Sequence, residues 1–339
     1  MRHYRLNWFF GIIAALLVTA AIVVPLVGRI RDEKTIILHG RMAESGGWTP
    51  TDLRAQVGKP LHLRLTSGDV MHSFAVGQNV MAPVEVVPGE FSEVTLTFDR
   101  PGKYTFYCTR WCGLNHWRMR GVIEVSGEQV EGKSQSPPLY AELGIDIDKP
   151  HPSKVTPAAP PSALEGERLL SEPDTKDIPL EYKTQEYYRA ASPVDIWQDL
   201  RSEGELAVFS DQQIWNLTAA LLRAQTAPEM LATGKRLYFE NCAACHGESG
   251  GGDGVFADDL TNGDMPGMNP EPGHTTSAPV DFTNPETMLG ASPALLQGKI
   301  LRGGMGTGMP YFGPIFTEEQ TWALVAYIQS FIIEMENQP

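Results

Sequence analysis

Between residues 35 and 127 apolar positions recur at every second residue in short runs. L-H-L-R-L-T (61–66), S-E-V-T-L-T-F (92–98) and Y-T-F-Y (104–107) alternate in this way, as strands buried on one face do. Gly58-Lys59-Pro60, Ser67-Gly68-Asp69, Pro88-Gly89 and Arg100-Pro101-Gly102 separate them as turns. Several short strands at such spacing predict a sandwich or Greek-key barrel. From about residue 186 onward the pattern becomes that of helices joined by Gly-rich loops. Residues 128–185 show neither period. They are polar and Pro-rich, including P-H-P-S-K-V-T-P-A-A-P-P, and predict an extended linker.

Near the N-terminus, Trp8 to Gly28 carries no charge, which is long enough for a helix crossing a hydrocarbon core that needs roughly 20 residues. Pro25 lies near its end, where a distortion costs least. A cleaved signal peptide would have a shorter apolar core followed by an A-x-A-like site, so an uncleaved anchor is expected. Arg2 and Arg5 precede the span while Arg29, Arg31 and Lys34 follow it, so basic residues do not set its orientation. The expected organisation is an anchor over 1–34, an all-β domain over 35–127, a linker over 128–185, a helical segment over 186–228 and an all-α domain over 229–339.

The helical half contains a weak repeat. A-S-P-V-D-I-W-Q-D-L-R (191–201) resembles A-S-P-A-L-L-Q-G-K-I-L (291–301), and F-S-D-Q-Q-I-W-N-L-T-A (209–219) resembles F-T-E-E-Q-T-W-A-L-V-A (316–326). Residues 160–225 are therefore expected to be a degenerate copy of the unit that follows. Two similar amphipathic helices with Ser/Thr N-caps would give the same pattern.

A net charge of −14 excludes nucleic acid as a partner. The acidity is uneven: residues 231–339 hold 13 Asp/Glu against 4 Lys/Arg, which suits steering of a basic redox partner. The chemistry lies with the cysteines. All 4 fall in two motifs: C-T-R-W-C-G-L-N-H-W-R-M holds Cys108 and Cys112, and C-A-A-C-H holds Cys242 and Cys245. In the first, His116 and Met119 follow, and His72 lies upstream at a strand end. Soft thiolates, imidazoles and a weak thioether are what copper prefers. One Cys would suffice for a mononuclear site, whereas two in one loop let paired thiolates bridge two coppers. A structural disulfide is the alternative for the pair, and the surrounding His and Met residues argue against it. The second motif is the attachment signature of a c-type haem, with His246 as proximal iron ligand. A downstream Met would raise the potential into the range of electron carriers. The candidates are Met265, Met268, Met288, Met305 and Met309. Met309 leads, with Met305 second, because G-M-P-Y-F resembles the distal loop of small cytochromes c. Because c-type haem is attached outside the cytoplasm, the soluble part is expected on the periplasmic or outer membrane face.

D-V-M-H-S-F followed by C-x-x-x-C-x-x-x-H-x-x-M resembles the CuA cupredoxin domain of cytochrome c oxidase subunit II over roughly residues 48–126. The resemblance implies His72, Cys108, Cys112, His116 and Met119 as ligands, with the backbone carbonyl of Arg110 as a further one. Many family members have Glu where this chain has Arg110; a carbonyl ligand survives that change, and a metal-binding role of the Glu side chain does not. Trp111 and Trp117 flank the ligands and Trp48 is expected nearby in the fold, as packing residues or as part of an electron path. The order of anchor, copper domain and haem c domain resembles subunit II of caa3-type oxidases. That resemblance implies a multidomain chain with a single membrane helix, a cupredoxin Greek-key sandwich and an all-α cytochrome c domain. It also implies a dinuclear copper centre, one covalent haem c, and a membrane-embedded haem-copper catalytic subunit as partner. The expected donor is a soluble cytochrome c, a cupredoxin or a quinol-oxidising complex. A copper-containing nitric oxide reductase could have the same electron-input part, and a free membrane-tethered carrier is the alternative from another class. With 8 His in all, a nitrous oxide reductase is excluded.

Overall fold

The computed structural model describes residues 35–79, 81–113, 115–128, 137–176, 178–262, 278–304 and 309–335. The expected membrane span lies outside them. Among the described residues no helix is long and apolar enough to cross a membrane.

Among the described residues nine strands form two sheets. They are β1 (Ile36–Gly40), β2 (Trp48–Thr49), β3 (Asp52–Gln56), β4 (Leu61–Ser67), β5 (His72–Val76), β6 (Val84–Val86), β7 (Ser92–Leu96), β8 (Gly102–Cys108) and β9 (Arg120–Ser126). One sheet has the order β2-β1-β4-β7 and the other β3-β9-β8-β5-β6. The β1–β4 and β3–β9 pairs are parallel and the rest antiparallel. Alternation puts Leu61, Leu63 and Leu65 inward, facing Phe74, Phe106 and Ile123 of the second sheet around the fully buried Trp48. This is the predicted sandwich, with the strand runs placed as their periodicity indicated.

The helices are α1 (Leu139–Glu142), α2 (Ala163–Leu169), α3 (Gln185–Ala190), α4 (Pro193–Ser202), α5 (Asp211–Ala224), α6 (Pro228–Asn241), α7 (Ala243–His246), α8 (Ala257–Asn262), α9 (Pro285–Met288), α10 (Pro293–Arg302) and α11 (Glu318–Gln329). One apolar core, from Ile147 to Met335, joins these helices other than α8.

The expectation of an extended linker is corrected here. Most of 137–185 packs onto the helical body, burying Ile147, Ala163, Leu169 and Ile178 in its core. Ser162 caps α2 through its side chain. The backbone of Ala163 donates to Glu334 O and that of Glu334 to Pro161 O. Proline removes donors but leaves carbonyls free to accept, so a few widely spaced apolar anchors suffice where composition alone suggests a spacer.

Two helix pairs in this body are built alike. A Cβ on Gly166 of α2 would lie 1.9 Å from Asn216 O, with Ala220 beside it; on Gly234 of α6 it would lie 2.0 Å from Ala323 O, with Tyr327 beside it. Asn216 and Ala323 are 107 positions apart, as are Ala220 and Tyr327. Both α5 and α11 begin with a capping box, Ser210 with Gln213 and Thr317 with Gln320. Both α4 and α10 start with a Ser N-cap and a Pro in the first turn.

Candidate metal and haem sites

Three adjacent strands assemble the first site. His72 opens β5, Cys108 closes β8, and Met119 immediately precedes β9. The ladder pairs Phe74 with Cys108, and the loop between β8 and β9 is closed by Cys108 N donating to Met119 O at 3.1 Å. Within it Asn115 takes a left-handed conformation and starts a short 3-10 turn, His116–Arg118, which turns His116 inward.

The donors converge. Cys108 Sγ lies 4.0 Å from Cys112 Sγ, 4.0 Å from His72 Nδ1 and 3.2 Å from the carbonyl oxygen of Arg110. Cys112 Sγ lies 3.6 Å from His116 Nδ1 and 3.3 Å from Met119 Sδ. Metal–thiolate bonds are about 2.3 Å, so sulfur atoms less than about 4.6 Å apart can share one ion. The pair therefore fits ions on either side of the S···S line. His72 lies against Cys108, and His116 and Met119 lie against Cys112. His72, Cys108 and Cys112 form a candidate metal cluster among the described residues.

Electrostatics favour a charged thiolate here. The hydrogen bond with Cys112 holds the Cys108 thiol well below its ordinary pKa against the opposing effect of burial, and His116 and His72 add to the lowering. Cys112 is correspondingly pushed up by its bond to Cys108 and by burial. The metal-free pair thus shares one proton, which metal would displace. Sequence reasoning missed Asp69, which appeared only as a turn residue. Its Oδ1 lies 2.8 Å from His72 Nε2, and Oδ2 accepts from Met42 N at 2.7 Å. Burial would raise the Asp69 carboxyl, but the backbone N–H groups of Met42 and Val70 and the His72 ring hold it below its ordinary value. The carboxylate fixes the ring with Nδ1 facing Cys108. Burial would lower the His72 pKa; Cys108 and Asp69 reverse that and raise it. A hydrogen-bonding Asp three residues before a His was the available signal.

The second site lies on α7. His246 Nδ1 donates to Val280 O at 3.1 Å, a tautomer that leaves Nε2 free for iron. Phe282 stacks on the same ring at 4.5 Å. Burial pulls His246 below its ordinary pKa, which favours the neutral ring a metal requires. It pushes the Cys242 and Cys245 thiols up to about 12 and about 11. Pro310 and Phe312 face Cys245 across a cleft, so the segment following Met309 flanks the attachment motif. Met288 is buried in the helical core; Met265, Met268 and Met305 lie outside the described residues. A neutral imidazole with one free nitrogen, two adjacent thiols and a facing loop fit a covalent haem.

The two sites share a wall. The cleft is lined by Cys108, Trp111 and His116 from the β domain and by Asn241, Cys245 and Phe312 from the helical one. Trp111 lies 5.0 Å from the His116 ring and 4.5 Å from Phe256. Phe256 N donates to Ala244 O inside the C-A-A-C-H motif. Of the other tryptophans, Trp48 packs 6.0 Å from the His72 ring and Trp117 lines the cleft.

Fold and site together define a cupredoxin-type metal domain joined to a cytochrome c domain. Residues 231–331 match the cytochrome c family and residues 51–126 match the cytochrome c oxidase subunit II periplasmic domain. These matches imply haem c and copper as cofactors. Two similar relatives are cytochrome c oxidase subunit 2 proteins, both from Thermus thermophilus. Each is 42% identical over 85 residues, or 25% of this chain. The chain spans 62% and 49% of the length of these relatives. A chain from a heme-copper terminal oxidase dimer aligns at 22% identity, over 37% of this chain and 99% of that one, with a TM-score of 0.25.

Proposed function

We propose that this chain is the electron-input subunit of a membrane haem-copper terminal oxidase. In this reading a covalent haem c accepts electrons from a donor, and a dinuclear copper centre delivers them to a separate catalytic subunit that reduces oxygen. The observation that carries the reading is the paired-thiolate cluster lying across one cleft from C-A-A-C-H. His72, Cys108, Cys112, His116, Met119 and the carbonyl of Arg110 hold the copper. Cys242 and Cys245 would form the thioethers to a covalent haem, and His246 and Met309 would supply its iron ligands. The span over Trp8–Gly28 anchors the chain as a single-pass membrane protein with its domains on the periplasmic side.

Within the chain, the side chains set the relay. Asp69 and Val280 each hold a ligand imidazole by its second nitrogen. Trp111, touching both His116 and Phe256, supplies a continuous aromatic contact between the two sites. Trp111→Ala is expected to slow electron transfer between them severalfold in flash-reduction kinetics while leaving both absorption spectra unchanged. Unchanged kinetics would remove Trp111 from the path. The acidic helical domain favours a donor with a basic face.

Purification from membranes tests the assignment. A stable complex with a multi-span haem subunit that consumes oxygen supports it. A complex that instead reduces nitric oxide would reassign the acceptor, and a free monomer would make the chain a tethered carrier.

We also propose that residues 160–225 are a haem-less copy of the following cytochrome unit. The matching glycine crossings and caps support it. Gly166-Glu167-Arg168-Leu169 parallels Gly234-Lys235-Arg236-Leu237, and counting on from these glycines Ile178 falls where His246 stands. Ile178 is buried in the core, so an apolar side chain occupies the equivalent of the ligand position. Superposition of the two units in an experimental structure checks this; unrelated positions of α2 and α5 relative to α6 and α11 would end it.

A further inference from the structure

We propose that the copper domain holds the distal-methionine loop of the haem domain in place, so that haem ligation depends on residues of the β-sandwich. The inference rests on the reading of Met309 as distal ligand. The segment after Met309 is held on two sides. On the helical side, Gly304 N donates to Met309 O at 3.2 Å, Phe312 N to Ile300 O at 3.1 Å and Gly313 N to Leu301 O at 3.0 Å. On the other side, the partners belong to the sandwich. Gln78, just beyond β5, donates from its backbone N to Ile315 O at 2.9 Å and from Nε2 to Gly313 O at 3.0 Å. Arg120, at the start of β9, donates from Nη1 to Tyr311 O at 3.1 Å. Its guanidinium also sits 5.5 Å from the Tyr311 ring centroid and 5.8 Å from that of Phe312.

Three carbonyls within five residues of chain, Tyr311, Gly313 and Ile315, therefore accept from the neighbouring domain. Approach is close enough to restrict the sequence: a Cβ on Gly77 would lie 2.3 Å from Pro314 O. Phe312 and Ile315 are buried, whereas Tyr311 is 57% exposed and depends most on Arg120 for its position. A thioether is a weak ligand whose retention relies on its loop being held against the iron. Bonds from a charged donor to a carbonyl stabilise more than neutral ones. Arg120 and Gln78 are thus positioning residues acting on haem ligation through Tyr311, Gly313 and Ile315.

The test uses the full-length, copper- and haem-loaded protein. Gln78→Gly keeps the left-handed backbone at that position (φ 56°) and removes the side-chain bond; Arg120→Leu removes the charged donor, and Arg120→Lys restores charge without the planar fork. Three readouts are taken: the Met–iron charge-transfer band, the haem potential, and the pH at which Met ligation is lost. In Arg120→Leu the alkaline pH at which Met ligation is lost falls by about one unit, a tenfold weaker ligation, in keeping with loss of a charge-assisted bond. Gln78→Gly shifts it less in the same direction, and Arg120→Lys recovers part of the loss. The copper spectrum of Gln78→Gly stays that of the parent. Wild-type values of all three readouts in both Gln78→Gly and Arg120→Leu would overturn the proposal. Met309→Ala, measured alongside, separates the two layers. If it keeps the charge-transfer band, the ligand assignment fails. If it loses the band while the domain-contact variants keep theirs unshifted, only the clamp fails.

Discussion

The two sites differ in how the chain builds them. At the copper site the donors lie within 4.0 Å of a neighbour, placed by three hydrogen-bonded strands and one twelve-residue stretch of sequence. At the proposed haem site the proximal half would be set by α7 and Val280, and the opposite wall by a loop more than sixty positions later that another domain braces. Size explains the contrast. A metal cluster fits among one loop and the neighbouring strand end that carries His72, whereas a porphyrin would need two walls that local sequence cannot supply.

Cysteine replacement gives the sharpest contrast. Cys112→Ser should abolish the dinuclear copper absorption and leave the haem Soret band intact, as read by optical and electron paramagnetic resonance spectra. An unchanged copper signal would reject bridging by both sulfurs. Met309→Ala should do the converse, lowering the haem potential on the order of 0.1 V, within the ~0.8 V that axial ligands command. Redox titration checks it, and no shift would pass the role to Met305. Asp69→Asn is expected to weaken copper binding about 10–100-fold, as loss of an orienting carboxylate does, by competition with a chelator. Affinity equal to the parent would show that Asp69 does not orient His72. Finally, Gly166→Ala and Gly234→Ala should each cost about 1–3 kcal/mol by overpacking the helix crossings, measured by denaturant unfolding. A cost at one crossing only would separate the two helical units.

The motifs were legible because their residues are local. Cys108 to Met119 and Cys242 to His246 each form a contiguous signature, and period-two alternation gave the strands that place His72 beside them. What acts across distance was not legible. Asp69 is the local exception: it stands three residues before the His72 it holds and was overlooked because it also reads as a turn aspartate. Arg120 and Gln78 carry no motif and matter only because Tyr311 and Gly313 arrive opposite them. Residues 137–185 misled through composition: proline and polar content hid Ile147, Leu169 and Ile178, whose spacing follows the surface they cover rather than any helical or strand period.

On the proposed reading, one chain would hold both redox centres beside a single cleft. Flash reduction of the purified, fully loaded protein addresses it most directly, following haem and copper bands together. The account predicts that haem reoxidation and copper reduction share one first-order rate that does not change on dilution. A rate proportional to protein concentration, or haem reoxidation without copper reduction, would contradict it.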